Sequence, residues 1–422
     1  MRLVWPIAIR IPQNMYTVYT AIQRHGGFGD QLPFHKPAGP PEPRPIRQEL
    51  KEQTMRKFLL IMMMASSLGS VAWGAPPFHT GVTNREFLQG DPTYDWRGAK
   101  THALTTMIWY PANAHATETQ QWVGDPAHPF ANAGMAARDA ELAAAPKKFP
   151  LILLSHGTGG SARMLAWLGT ELAAHGYIAV AVNHPGNNGT EAYTVQGFTL
   201  WWERPTDLSR VLDGILADPT FGDRIDVNRI GAAGFSIGGY TVMELAGGRG
   251  EMGNLDEIKK QCSAPGTTDP HCSSPPEFPG LVQKALQLYD TDPGYAAALK
   301  QSNSPRRDPR VRAVFAIAPG NGQNFSPEAL SKISIPVEIV AGAADTNVPP
   351  DDNARYYAAH IPNAKLKIYP GAVAHYTFLD TCSDFGRKEE PAICIDGPGV
   401  QRDAIHAEAS HDAIEFFDHT LK

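Results

Sequence analysis

One short stretch restricts the fold of this 422-residue chain more than any other. Residues 229–235 form an apolar run of strand length, Ser236-Ile237-Gly238-Gly239 follows at once, and a helical pattern continues over 240–246. A strand that becomes a helix across one residue forces that residue into a strained backbone conformation. Side chains two positions before and after would then collide. Gly234 and Gly238 occupy those two places. The pattern predicts a nucleophile elbow, with Ser236 presented at the tip of a strand. The competing reading is a glycine-rich turn with a surface serine, and the strand before and helix after argue against it.

From residue 104 onward, apolar runs alternate with helical patterns, the signature of a mostly parallel sheet with crossover helices. Strands are predicted at 104–110, 149–155, 177–182, 229–235, 311–318, 337–341 and 366–369, and helices at 163–175, 207–217 and 401–421. The run at 149–155 is apolar throughout, as expected of a strand covered on both faces. On the helix at 207–217, Leu208, Val211, Leu212 and Ile215 share one face. Ile405, Ala409, Ala413 and Phe417 recur every fourth residue on the closing helix. Residues of about 248–309 are rich in Pro, Ser and Asp and read as an insertion after the nucleophile helix, with a helical piece at 281–289. The insertion is either a lid, a pocket wall or a surface excursion. The fold class is therefore α/β, with one domain over 75–422.

A serine hydroxyl needs a base to take its proton, and in this topology the order along the chain is serine, acid, histidine. His375 lies just beyond the last predicted strand, in Pro370-Gly371-Ala372-Val373-Ala374-His375, where loops at strand ends present chemistry. His360, His406, His411 and His419 fall on helices instead. For the acid, Asp345 ends the turn Gly342-Ala343-Ala344-Asp345 after a strand, and its task is to hold the imidazole tautomer. Asp351 and Asp352 follow Pro349-Pro350 and read as the N-terminal cap of a helix over 353–360.

Ser155-His156-Gly157-Thr158-Gly159-Gly160 follows the strand at 149–155, the place of the second donor of an oxyanion hole. The backbone N–H groups of Thr158 and Ile237 are the expected donors, with Gly157 the alternative to Thr158. His156 reads as a structural hydrogen-bonding residue and His184, in Asn183-His184-Pro185-Gly186, as loop structure or pocket wall. Trp201 and Trp202 are either pocket or packing aromatics.

Met55-Arg56-Lys57, the apolar run 58–64 and small residues up to Gly74 have the grammar of a secretory leader, with cleavage expected before Ala75. The run is short of the roughly 20 residues that cross a bilayer. Residues 1–54 then precede the expected start at Met55 and fall outside the mature protein. Export permits disulfides, and among Cys262, Cys272, Cys382 and Cys394 sequence proximity favours Cys262 with Cys272 and Cys382 with Cys394. The spacings lack a C-x-x-C pair, so no metal is expected. A net charge of −6 without a Lys/Arg-rich run gives no electrostatic grip on nucleic acid.

Over about 91–417 the chain resembles the dienelactone hydrolase-like branch of the α/β hydrolases and, more distantly, the platelet-activating-factor acetylhydrolases. Trp109-Tyr110-Pro111, Ser155 to Gly159, Asn183 to Gly186, Gly234 to Gly239, Gly342 to Asp345 and His375-Tyr376-Thr377-Phe378 carry the resemblance. It implies a cofactor-free hydrolase of esters or lactones with small acyl groups; an acyltransferase, a peptidase or a non-catalytic binding protein would share the same scaffold. Two departures stand out. Dienelactone hydrolases carry cysteine where this chain has Ser236, and the acetylhydrolases place their acid after an earlier strand, where Asn321 stands.

Overall fold

The computed structural model describes residues 77–88, 103–253, 255–264, 267, 272–275 and 277–422. The leader reading at 55–74 and the reading of 1–54 lie outside the described residues. Ten strands are described: β1 (His79–Leu88), β2 (Ala103–Ala112), β3 (Thr119–Asp125), β4 (His128–Arg138), β5 (Phe149–Ser155), β6 (Ile178–Val182), β7 (Ile225–Phe235), β8 (Val311–Ile317), β9 (Val337–Gly342) and β10 (Lys365–Tyr369). They form one sheet in the order β10-β9-β8-β7-β5-β6-β2-β1-β4-β3. From β6 through β10 every neighbouring pair is parallel, while β2 runs antiparallel to β6 and to β1.

The parallel strands explain their own sequences. Every residue of β5 and β6 is buried. Leu151 and Leu153 face a core completed by Leu208, Val211 and Leu212 of the helix Arg204–Ala217. Ile152 and Leu154 face the other, completed by Leu168, Leu172 and Phe417. Side chains two apart share a face, so an unbroken apolar run supplies both cores at once. The helices that close the second face are Ala166–Ala174, preceded by a 3₁₀ turn at Ala162–Leu165, and Arg402–Thr420.

The antiparallel flank was less legible. Of β1 to β4 only β2 stands out from the sequence. β4 carries Pro129, Gly134 at φ 77° and four alanines, a composition that disfavours strand, and its pairing with β3 is broken by two register shifts. The insertion contains the helices Leu255–Cys262, Leu281–Thr291 and Pro293–Leu299. Cys262 pairs with Cys272 and Cys382 with Cys394, at Cα separations of 5.1 and 5.5 Å. Among the described residues no helix is long and apolar enough to cross a membrane.

Candidate active site

Ser236 follows β7 directly and precedes the helix Ile237–Leu245, with φ 58° and ψ −121°. This conformation survives because its surroundings leave no alternative. A Cβ on Gly234 would lie 2.1 Å from the Gly238 carbonyl oxygen, and one on Gly238 would lie 2.0 Å from the Ser155 oxygen. Backbone therefore packs on backbone around the turn. The Ser236 N–H donates to Ile317 O at 2.9 Å, and Gly320 N–H donates to Ser236 O at 3.0 Å, which ties the elbow to the end of β8.

The loops after β9 and β10 bring Asp345 and His375 to this serine. His375 Nε2 lies 3.0 Å from Ser236 Oγ, and His375 Nδ1 lies 2.7 Å from Asp345 Oδ2. The other oxygen of Asp345 accepts the N–H groups of Asn347 (3.0 Å) and Val348 (2.7 Å). An ionised carboxylate only accepts, so Nδ1 carries the proton and Nε2 is free to accept the serine hydroxyl. Asp345 and His375 are both buried, while Ser236 keeps partial access. The Phe235 ring packs 4.7 Å from the imidazole, centroid to centroid.

The competing residues lie elsewhere. Asp351 pairs with Arg355, and Asp352 accepts from Gln323. Neither caps the following helix. It begins at Ala354 with Asn353 as its N-cap residue, whose side chain instead accepts the Gly322 N–H. His360 Nδ1 bonds to Tyr356 O. His406 is stacked on Trp167 at 4.5 Å and bonded to Thr377 O, and burial pushes its imidazole down to about 4. His411 lies 4.0 Å from Glu415 on the closing helix, which also carries His419. Asn321, at the tip of β8 with φ 56°, is buried and lines the same cavity as Ser236.

Behind the loop 155–160 the structure holds a polar cluster that sequence reading did not assemble. Ser155 Oγ lies 3.0 Å from His184 Nε2, and His184 Nδ1 lies 2.9 Å from Asp207 Oδ2. All three residues are 0% exposed, and His184 belongs to the structure of the loop after β6, outside the pocket wall. His156 Nδ1 bonds to Gly157 O at 2.7 Å, its Nε2 accepts the His184 N–H at 3.1 Å, and Arg204 Nη2 donates to His156 O. Burial, then the Arg204 guanidinium, hold the His156 imidazole well below its ordinary range. A signal for this cluster was present. Arg204 and Asp207 precede Leu208 and Val211 at helical spacing, which places both charges on the core-facing stripe.

Ser236 and His375 open onto a cavity of about 240 Å³. Tyr193, Phe198, Trp201 and Tyr376 line it, with Thr158 and Ile237 beside the serine. Trp202 sits in the core instead. The insertion contributes Ser273, Pro275, Glu277, Leu281 and Val282, so it forms one wall of the pocket. Ser273 adjoins Cys272, and Ile393, another lining residue, adjoins Cys394. Each disulfide thus staples a segment of the wall.

A family model described as platelet-activating factor acetylhydrolase, isoform II, matches residues 100–199. That segment contains the loop 155–160 and His184 but not Ser236. Cutinase est1 of Thermobifida alba is 30% identical over 103 residues, 24% of this chain and 31% of the cutinase. The platelet-activating factor acetylhydrolase of Cavia porcellus is 40% identical over 50 residues, 12% of each chain. The chain thus aligns with less than a third of the length of these curated relatives. A solved structure, the ferulic acid esterase from Streptomyces cinnamoneus, superposes with a TM-score of 0.54 at 22% identity, covering 83% of this chain and 92% of that one. This likeness establishes the α/β-hydrolase fold.

Proposed function

Because the chain is an α/β hydrolase with a segment of the platelet-activating-factor acetylhydrolase type, we propose that it is an exported serine hydrolase that cleaves carboxylic esters through an acyl-enzyme. The observation that carries this reading is the position of His375, with Ser236 on one ring nitrogen at 3.0 Å and Asp345 on the other at 2.7 Å. Ser236 Oγ attacks the ester carbonyl as His375 Nε2 takes its proton. The imidazolium, steadied by Asp345, then returns that proton to the departing alkoxide. Water repeats the sequence on the acyl-enzyme and releases the acid. The N–H groups of Ile237, in the first turn of a helix where amides lack intrahelical partners, and of Thr158 receive the developing oxyanion.

The pocket supports a compact, uncharged ester. Its volume of about 240 Å³ and its aromatic walls suit a short or aromatic acyl group, and the solved neighbour is named for an aromatic acid ester. Two disulfides support export, as does the leader-like sequence before Ala75. The test is labelling by a fluorophosphonate together with hydrolysis of p-nitrophenyl esters of graded acyl length. The expected result is a label on Ser236 and rates highest for short acyl chains. Ester hydrolysis that persists in Ser236→Ala would overturn the assignment.

A further inference from the structure

The loop 155–160 contributes Gly157 and Thr158 to the pocket lining, and the amide of each belongs to a peptide unit whose carbonyl points the other way. In a planar trans peptide the C=O and the following N–H are antiparallel, so whatever grips the carbonyl sets the aim of the amide. The unit carrying the Gly157 N–H is gripped at His156 O by the Arg204 guanidinium. The unit carrying the Thr158 N–H is gripped at Gly157 O by His156 Nδ1 at 2.7 Å and by the Gly160 N–H at 3.3 Å. Both candidate oxyanion donors are therefore held from behind by buried side chains.

We propose that Arg204 and His156 are positioning residues for the oxyanion hole, aiming its loop amides and strengthening them as donors through their own carbonyls. Donation to a carbonyl draws electron density from the peptide and makes its N–H a better donor, an effect that survives best where water is absent. Bulk solvent does not reach these groups, since Arg204 and His156 are each 1% exposed. His156 grips Gly157 O only as the Nδ1–H tautomer. That tautomer is set by the backbone, because Nε2 must accept the N–H of His184. His184 is held in turn by Ser155 and Asp207. Arg204 and Asp207 lie three residues apart on one helix, and both are buried.

This inference rests on the ester-hydrolase reading, and the experiment separates the two. Arg204 and Asp207 are both buried on one helix, so their charges are removed together in the double change Arg204→Met with Asp207→Asn, and His156→Leu is made separately. Turnover of p-nitrophenyl acetate is measured per active site titrated with fluorophosphonate, which normalises for folded protein. The affinity of a trifluoromethyl ketone, a mimic of the tetrahedral intermediate, is measured beside it. Each variant is expected to lose about 10- to 100-fold in kcat, with KM within about twofold and ketone affinity falling by a similar factor as kcat. A purely structural role predicts fewer titratable sites with kcat per site unchanged. That result in both variants would overturn the proposal and leave the ester-hydrolase reading standing. A wild-type protein that neither labels nor hydrolyses would overturn both.

Discussion

The molecule contains two Ser–His–Asp sets of nearly equal geometry. Ser236, His375 and Asp345 are linked at 3.0 and 2.7 Å, and Ser155, His184 and Asp207 at 3.0 and 2.9 Å. What separates them is not distance. Ser236 sits at φ 58° on a turn that opens onto a cavity, whereas Ser155 closes a strand and has no solvent exposure. The carboxylates differ as well. Asp345 is held by two loop amides at the end of β9, while Asp207 lies inside a helix beside a buried arginine. Nucleophilic chemistry requires a reachable carbonyl and donors for its oxyanion, and only the first set has room for either.

The acids offer the sharpest way to break this contrast. Asp345→Asn keeps the shape of the loop but favours the wrong tautomer of His375, so turnover should fall by roughly 10⁴-fold. Its unfolding midpoint should move little. Asp207→Asn should show the reverse, costing about 1–3 kcal/mol of stability because the buried His184 Nδ1 loses its carboxylate partner, with turnover per titrated site falling by less than about tenfold. Urea titrations and active-site-normalised rates on the two variants check both halves. A large catalytic loss in Asp207→Asn with stability intact would erase the distinction between the sets.

The two sets also differed in how far they were legible in the sequence. The elbow is legible because sterics demand glycine at 234 and 238, and a Cβ there would meet backbone near 2 Å. Asp345 and His375 are legible because each follows an apolar run in the expected chain order. The sealed set comes from β5, the loop after β6 and a helix, so no local spacing joins its members. Only the stripe through Arg204, Asp207, Leu208 and Val211 hinted that charges point inward. The strands β1, β3 and β4 were missed for a different reason. They lie on the antiparallel flank, where half-exposed faces, Pro129 and Gly134 blur the alternation.

A third buried carboxylate tests whether burial or partnership decides what a sealed acid does. Glu244 accepts the Tyr240 hydroxyl at 2.7 Å and the Gly250 N–H at 3.3 Å, no cation among the described residues is bonded to it, and burial pushes its carboxyl up to about 8. Between its ordinary value near 4.5 and about 8, the folded protein keeps a proton that the unfolded chain has released. Stability should therefore fall as pH rises through that window, by at most about 1.4 kcal/mol per pH unit from this group. Glu244→Gln keeps an acceptor for Tyr240 and should flatten the dependence. Urea midpoints at pH 5, 6, 7 and 8 for both proteins test it, and parallel curves would show that the Glu244 carboxyl ionises normally.

The smallest effect is expected at the serine of the sealed set. Ser155→Ala removes a hydroxyl that bonds to His184 Nε2 inside the protein, at a cost of about 1–3 kcal/mol. The Ser155 carbonyl, which lies against Gly238 in the elbow, belongs to the backbone and stays where it is. Turnover per titrated site should therefore change by no more than about threefold, and fluorophosphonate should still label one serine. A variant that folds but loses the label would mean that the hydroxyl of Ser155, and not merely the strand that carries it, sets the geometry of Ser236. The two sets would then work as one unit, and access alone would no longer separate them.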